Sequence, residues 1–168
     1  MNYRLPLFFA AVLACSSLSA QGNLKDYLKE KKKSKNTTAA KPAISLNHIA
    51  VYVTDLARAT KFYQEIVGLD TIPEPFHDGR HTWFGVGPKS HLHLISGAAN
   101  VMVHDKNAHL CFTVPSVDEF IKNLEKNGVS YEDWPGKKMG VTVRVDGVKQ
   151  IYFTDPDGYW LEINDARQ

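Results

Sequence analysis

One unit of sequence occurs twice in this chain, and that repeat limits the folds open to it. HIAVYVTDL begins at His48 and HLCFTVPSV begins at His109, 61 positions later. Each copy opens as an alternating, β-branched or aromatic run, the pattern of a half-buried strand. Helical spacing follows: Leu56, Ala59, Phe62, Tyr63 and Ile66 in the first copy, Val117, Phe120, Ile121 and Leu124 in the second. Gly68 and Gly128 close these helices, where left-handed backbone costs glycine little. Asp55 stands at the first cap, and Ser116 with Glu119 spells a capping box at the second. Short strands are expected near 69–73, 81–86 and 91–96, and again near 129–133, 140–145, 149–154 and 159–164. The expected class is α+β. Two paired βαβββ modules, about 45–97 and 106–165, would form a curved, cup-like mixed sheet, because a small sheet with one helix cannot cover both its faces. The segment between them, Gly97 to Ala108, carries no decisive signal.

The first 43 residues have a different character. LPLFFAAVLA, residues 5–14, is apolar behind Arg4, and CSSLSA follows. This reads as a signal peptide over 1–20, with cleavage after Ala20 or lipid attachment at Cys15 as its two outcomes. Export to the periplasm or the extracellular space is the expectation. The run is too short for a permanent span, so no integral membrane segment is expected in the mature chain. Residues 21–43 hold seven lysines and two acids and read as a flexible linker, with a short helix around Leu24 to Lys31. The domain proper, 44–168, has 12 basic and 16 acidic residues, net −4. That balance gives it no electrostatic reason to bind nucleic acid, despite the formal +2 of the whole chain. Its 125 residues suffice for one core. Cys111 is its single cysteine, so packing rather than a disulfide must hold it.

Side-chain phase along the strands points to chemistry. His48 alternates with Ile49 and Val51, His93 with Leu92 and Leu94, His109 with Leu110 and Phe112, Glu162 with Leu161 and Ile163. In each strand one face is oily and the other carries a metal-capable side chain. A glutamate among Trp160, Leu161 and Ile163 is costly to bury unpaired, and a divalent cation removes that cost. His48, His93, His109 and Glu162 are therefore the expected ligands of one divalent metal per site: Zn, Ni, Mn or Fe. His91 shares the face of His93 and is an alternative to it. Tyr52, Trp83, His91, Cys111 and Trp160 are expected to line the cavity, although core packing accounts equally well for each tryptophan alone.

LNHIAVYVTDLARATKFYQEIVGL, HLHLISG, HLCFTV and FTDPDGYWLEI resemble the vicinal-oxygen-chelate superfamily, the glyoxalase, bleomycin-resistance and extradiol-dioxygenase group. The resemblance spans residues 45–165 and implies the paired βαβββ fold with ligands on the first and last strand of each module. It also implies a small-molecule substrate with vicinal oxygens, handled through a metal-stabilised enediolate, with Glu162 and His93 as catalytic residues and often a homodimer. His93 departs from the pattern, because metal-dependent glyoxalases carry a glutamate there. The leading expectation is a lyase or isomerase of glyoxalase-like type. A non-catalytic binder of the bleomycin-resistance kind and an Fe(II) extradiol-type dioxygenase are the alternatives.

Overall fold

The computed structural model describes residues 25–31 and 43–167. The signal segment expected at 1–20, Cys15 included, lies outside the described residues. Helix α1 covers residues 25–31 and is exposed throughout. The chain divides after Ser45, and Leu46–Gln168 is a compact unit of its own. No helix among the described residues is long and apolar enough to cross a membrane.

The compact unit holds two four-stranded mixed sheets of the same design. The first contains β1 (His48–Val53), β2 (Thr71–Ile72), β3 (His81–Gly85) and β4 (His91–Ser96), in the order β1-β4-β3-β2. The second contains β5 (His109–Thr113), β6 (Thr142–Val143), β7 (Lys149–Thr154) and β8 (Trp160–Asn164), in the order β5-β8-β7-β6. In both, the first strand pairs in parallel with the last, and the other pairings are antiparallel. The fold is the α+β pair of βαβββ modules anticipated from the repeat.

Each module places its helix between its first two strands. Helix α2 (Leu56–Phe62) starts at Asp55, whose carboxylate accepts from the Arg58 N–H at 3.0 Å. Its last turn widens into a π-helical turn, Tyr63–Val67, closed by Gly68 at φ +85°. The sequence pattern reads this stretch as one continuous α-helix. The wider turn seats Tyr63 fully buried, with its hydroxyl donating to Asp155 at 3.0 Å. Helix α3 (Val117–Lys126) forms half of the expected capping box: Ser116 accepts from the Glu119 N–H at 3.3 Å. The Glu119 carboxylate takes Lys122 instead, at 2.7 Å.

Three expected strands come out shorter or absent. The segment 69–73 yields only Thr71–Ile72, and 140–145 only Thr142–Val143. Residues 129–133 form no strand but touch their neighbours through bridges from Glu132 to Lys138 and Tyr152. Pro135 and Gly136 lie in the loop between Glu132 and its bridge partner Lys138, where proline lacks a donor and glycine a side chain to pack.

The core unites the helix-facing sides of both sheets. Val51, Leu92 and Leu94 of the first module join Ile151, Phe153, Leu161 and Ile163 of the second in a single apolar cluster. Phe62 of α2 and Phe120 of α3 both pack against Phe153, at ring separations of 6.3 and 6.0 Å. The opposite sheet faces do not close on each other within one chain. On β1, His48, Ala50 and Tyr52 are exposed, and Tyr52 retains 49% of its surface.

Candidate metal centre

Strand register gathers polar side chains on the two open faces. On the first sheet His48 pairs with His91, Ala50 with His93, and Trp83 with His93, so His48, His91, His93, Trp83 and Tyr52 share a face. The rings stack: His48 on His93 at 4.3 Å, and His93 on Trp83 at 3.9 Å and an interplanar angle of 3°. His93 is 8% exposed, and its Nε2 has no hydrogen-bond partner among the described residues. Trp83 Nε1 beside it is likewise buried without a partner. Burial, together with His48, His91 and His81, holds the His93 imidazole down to about 4. It is a neutral ring with a free lone pair, the form a cation binds. His48 directs Nδ1 at the Asn47 amide oxygen, 2.8 Å away, which leaves Nε2 outward.

The second sheet presents a different pair. His109 faces Trp160 and Cys111 faces Glu162 across the β5–β8 ladder. His109 Nε2 lies 3.2 Å from Glu162 Oε2, while Nδ1 meets the Lys106 carbonyl at 2.7 Å. A carbonyl oxygen only accepts, so Nδ1 carries the hydrogen. In the neutral ring Nε2 then points a lone pair at a carboxylate oxygen. A shared cation, either a proton or a metal ion, reconciles two acceptors at that distance.

Glu162 is 8% exposed and thoroughly bonded. Asn164 Nδ2 and the Cys111 thiol donate to Oε1 at 2.9 and 3.3 Å, and the Tyr152 hydroxyl donates to Oε2 at 2.8 Å. Burial alone would raise its pKa. The three donors and nearby His109 outweigh burial and hold the carboxyl below its ordinary value.

The four expected ligands therefore stand as two pairs, His48 with His93 and His109 with Glu162, one on each sheet. Among the described residues of a single chain, no three His, Cys, Asp or Glu side chains converge into a metal-holding group. Each pair alone suits a divalent cation: an orphaned buried imidazole nitrogen on one face, an anionic carboxylate against an imidazole lone pair on the other. Of the remaining histidines, His81 shares the strand face of Trp83. His77 is solvent-facing, with its side chain 83% exposed, His81 binds Asp78 at 2.9 Å, and His104 stacks on Tyr159 at 4.0 Å.

Tyr152 and Asn164 are site residues that sequence reasoning missed. The signal for Tyr152 was present: it is as far before Asp157, in the tight turn, as Glu162 is after it. Equal distance from a hairpin turn places two residues opposite one another, as Tyr152 and Glu162 are. Asn164 shares the phase of Glu162 two positions on.

Two βαβββ sheets with a histidine opening each module and a carboxylate in the last strand define the vicinal-oxygen-chelate class. The chain belongs to the Glyoxalase/Bleomycin resistance protein/Dioxygenase superfamily, whose family profile matches residues 45–163. It is 29% identical over 125 residues to Glyoxylase I 4 of Arabidopsis thaliana, covering 71% of this chain and 69% of that one. With Metallothiol transferase FosB of Staphylococcus epidermidis it shares 28% identity over 130 residues, 71% of this chain and 80% of the relative. Among solved structures it resembles Oxidase ChaP-H1, at TM-score 0.61 and 28% identity, covering 74% of this chain and 98% of the other.

Proposed function

We propose that this protein is a metal-dependent lyase or isomerase of glyoxalase-like type, acting on a small substrate with two neighbouring oxygens. In this reading each site is shared by two copies of the chain. His48 and His93 come from one copy, His109 and Glu162 from its partner. The observation that carries the reading is the pair of incomplete donor sets on two open faces, each with lone pairs that nothing among the described residues neutralises. A second copy that covered these faces would also remove exposed apolar surface at Tyr52.

A bound divalent cation supplies Lewis acidity, which lowers the cost of negative charge on the substrate oxygens. The chain's residues do the rest. Tyr152 and Asn164 orient Glu162 and keep it ionised. Once one of those donors turns aside, Glu162 is also the group to accept a proton from carbon beside a carbonyl. His93 stays neutral and leaves its lone pair available. Trp83, Trp160 and Tyr52 wall the faces with apolar surface and exclude water. The relatives' names range over a glyoxylase, a transferase and an oxidase, and with His93 where metal-dependent glyoxalases carry a glutamate, Glu162 is the one carboxylate base among the four expected ligands.

Mixing two inactive variants tests the shared site. His48→Ala and His109→Ala should each bind less metal than the wild type. In a re-equilibrated equal mixture, half the dimers pair one variant with the other and carry one intact site each, about a quarter of all sites. No recovery on mixing overturns the shared site. The reaction is tested by isotope exchange beside the carbonyl in a panel of small α-hydroxycarbonyls with Zn, Ni, Mn or Fe. Absence of exchange with every metal overturns the lyase or isomerase reading. Oxygen uptake with catechols after Fe(II) loading would establish a dioxygenase, and stoichiometric binding indifferent to metal removal would establish a binder.

A further inference from the structure

Lys106 lies in the segment joining the two modules and is tied down at both ends. Its carbonyl oxygen accepts from His109 Nδ1 at 2.7 Å. Its ammonium occupies a box of three rings, 4.9 Å from the Trp160 centroid, 5.5 Å from Tyr152 and 5.8 Å from Trp134. It pairs with the Glu132 carboxylate and donates to the Asp133 and Trp134 carbonyls at 3.3 and 3.1 Å. Two residues earlier, Trp160 Nε1 donates to the His104 carbonyl at 3.0 Å.

An ammonium has three N–H donors. Here three acceptors take all of them, and the side chain is only 17% exposed. No donor remains for a substrate anion, which excludes the obvious role for a lysine beside an active-site face. A plain surface ion pair is excluded too, since such a pair is held by one flexible partner in water. This ammonium is enclosed by rings, a carboxylate and two backbone carbonyls, contacts that gain strength where water is displaced.

We infer that Lys106 is a positioning residue for the metal centre: its caged ammonium anchors the inter-module segment so that its own carbonyl fixes the His109 imidazole with the hydrogen on Nδ1 and the Nε2 lone pair toward Glu162. The inference rests on the reading of His109 as a ligand. A loosened segment would release Nδ1. The ring would then gain access to the other tautomer, with the hydrogen on Nε2 donated to Glu162. That form has no lone pair where a cation needs one. Glu132, Trp134 and Trp160 belong to the same anchor, and Trp160 is also the ladder neighbour of His109.

The test is Lys106→Met, which keeps most of the stem and removes the charge. The imidazole nitrogens of metal-free protein are read by NMR above the pH at which the His109 signals stop changing, where the proton shared with Glu162 has left and the ring has one tautomeric hydrogen. The wild type should show His109 as the pure Nδ1–H tautomer. In Lys106→Met a second, Nε2–H population should appear, with the His48 signals unchanged and metal affinity down ~10-fold. An unchanged His109 pattern with metal affinity within about twofold of wild type overturns the inference. If Lys106→Met does not fold, Glu132→Gln decides: the same tautomer shift supports the anchor, and its absence overturns it. Failure of the wild type to bind any metal, with the tautomer shift still present, would sink the metal reading and leave the anchor standing.

Discussion

The hydroxyl of Tyr152 donates to Glu162 Oε2 at 2.8 Å, directly across the β7–β8 ladder. The Gln150 amide donates in turn to that hydroxyl oxygen, so the phenol has a fixed direction. Burial and the adjacent carboxylate push the Tyr152 hydroxyl well above its ordinary value, so it stays a donor at any physiological pH. Tyr152→Phe removes this bond and leaves one Glu162 oxygen short of a partner. Metal affinity should fall ~10-fold, as for other groups that orient a ligand. Stability of the metal-free protein should fall by about 2 kcal/mol, typical of a bond to a charged group. Calorimetric metal titration and urea unfolding check the two numbers, and unchanged affinity would separate Tyr152 from the proposed metal site.

Asp157 ties the last turn of the second module to the helix start of the first. Its Oδ1 accepts from the Thr54 N–H at 2.7 Å and the Thr54 hydroxyl at 2.6 Å, and the residue is 2% exposed. Arg58 adds a longer contact at 3.4 Å, but its side chain is 47% exposed and contributes little. Asp157→Ala strands two Thr54 donors and should cost about 3 kcal/mol. Arg58→Ala should cost under ~1 kcal/mol. Urea midpoints of the two variants give the comparison, and equal losses would place the weight of the latch on the arginine instead.

The modules were legible in the sequence because each signal was local. Alternation around His48 and His109, helical spacing through Phe62 and Phe120, and Gly68 at a left-handed position all act within a few residues. Side-chain phase also assigned His48, His93, His109 and Glu162 to the faces opposite the oily ones, which follows from strand geometry alone. What the sequence could not yield was convergence. Whether His93 and Glu162 meet depends on how two sheets pack, and in one chain both helix faces join a common core around Phe153 while the ligand faces stay open. Lys106 was invisible for a related reason: its partners Glu132, Trp134 and Trp160 come from segments far along the chain, and a lysine in a loop has no pattern to betray a cage. The π-helical turn at Tyr63 was missed because its cause is tertiary, a phenol reaching Asp155 from another module.

Cys111 faces the same carboxylate from the other side, its thiol donating to Glu162 Oε1 at 3.3 Å. Desolvation at the sulfur and the Glu162 charge push this thiol up to about 12. The thiolate is the reactive form, so alkylation at about pH 8 should run slower than for an ordinary cysteine, although the residue is exposed. Glu162→Gln removes the negative charge and should speed the reaction. Peptide mapping after iodoacetamide treatment reads Cys111 specifically. Fast labelling in the wild type would mean that the thiol does not sit against the carboxylate.

Asp155 gives a stability signature whose sign can be worked out. Its Oδ1 accepts from the Asp157 and Tyr159 N–H groups, both at 2.9 Å, and its Oδ2 accepts from the Tyr63 hydroxyl at 3.0 Å. Burial, the largest influence, raises its pKa, and these three donors only partly offset it. A carboxyl whose folded value lies above its unfolded one, ~3.9, holds its proton longer in the folded state. Its contribution is fully present below the unfolded value and is lost as pH rises through the folded value. Asp155→Asn keeps an acceptor for the two N–H groups and has no proton to lose. The unfolding free energy of the variant minus that of the wild type should therefore increase from about pH 4 upward and level off once Asp155 is ionised in the folded protein. Glu162, shifted the other way, is common to both proteins and cancels in the difference. Urea unfolding of the pair across that range measures the slope, and a difference that falls with pH would mean that the three hydrogen bonds, not burial, control this carboxyl.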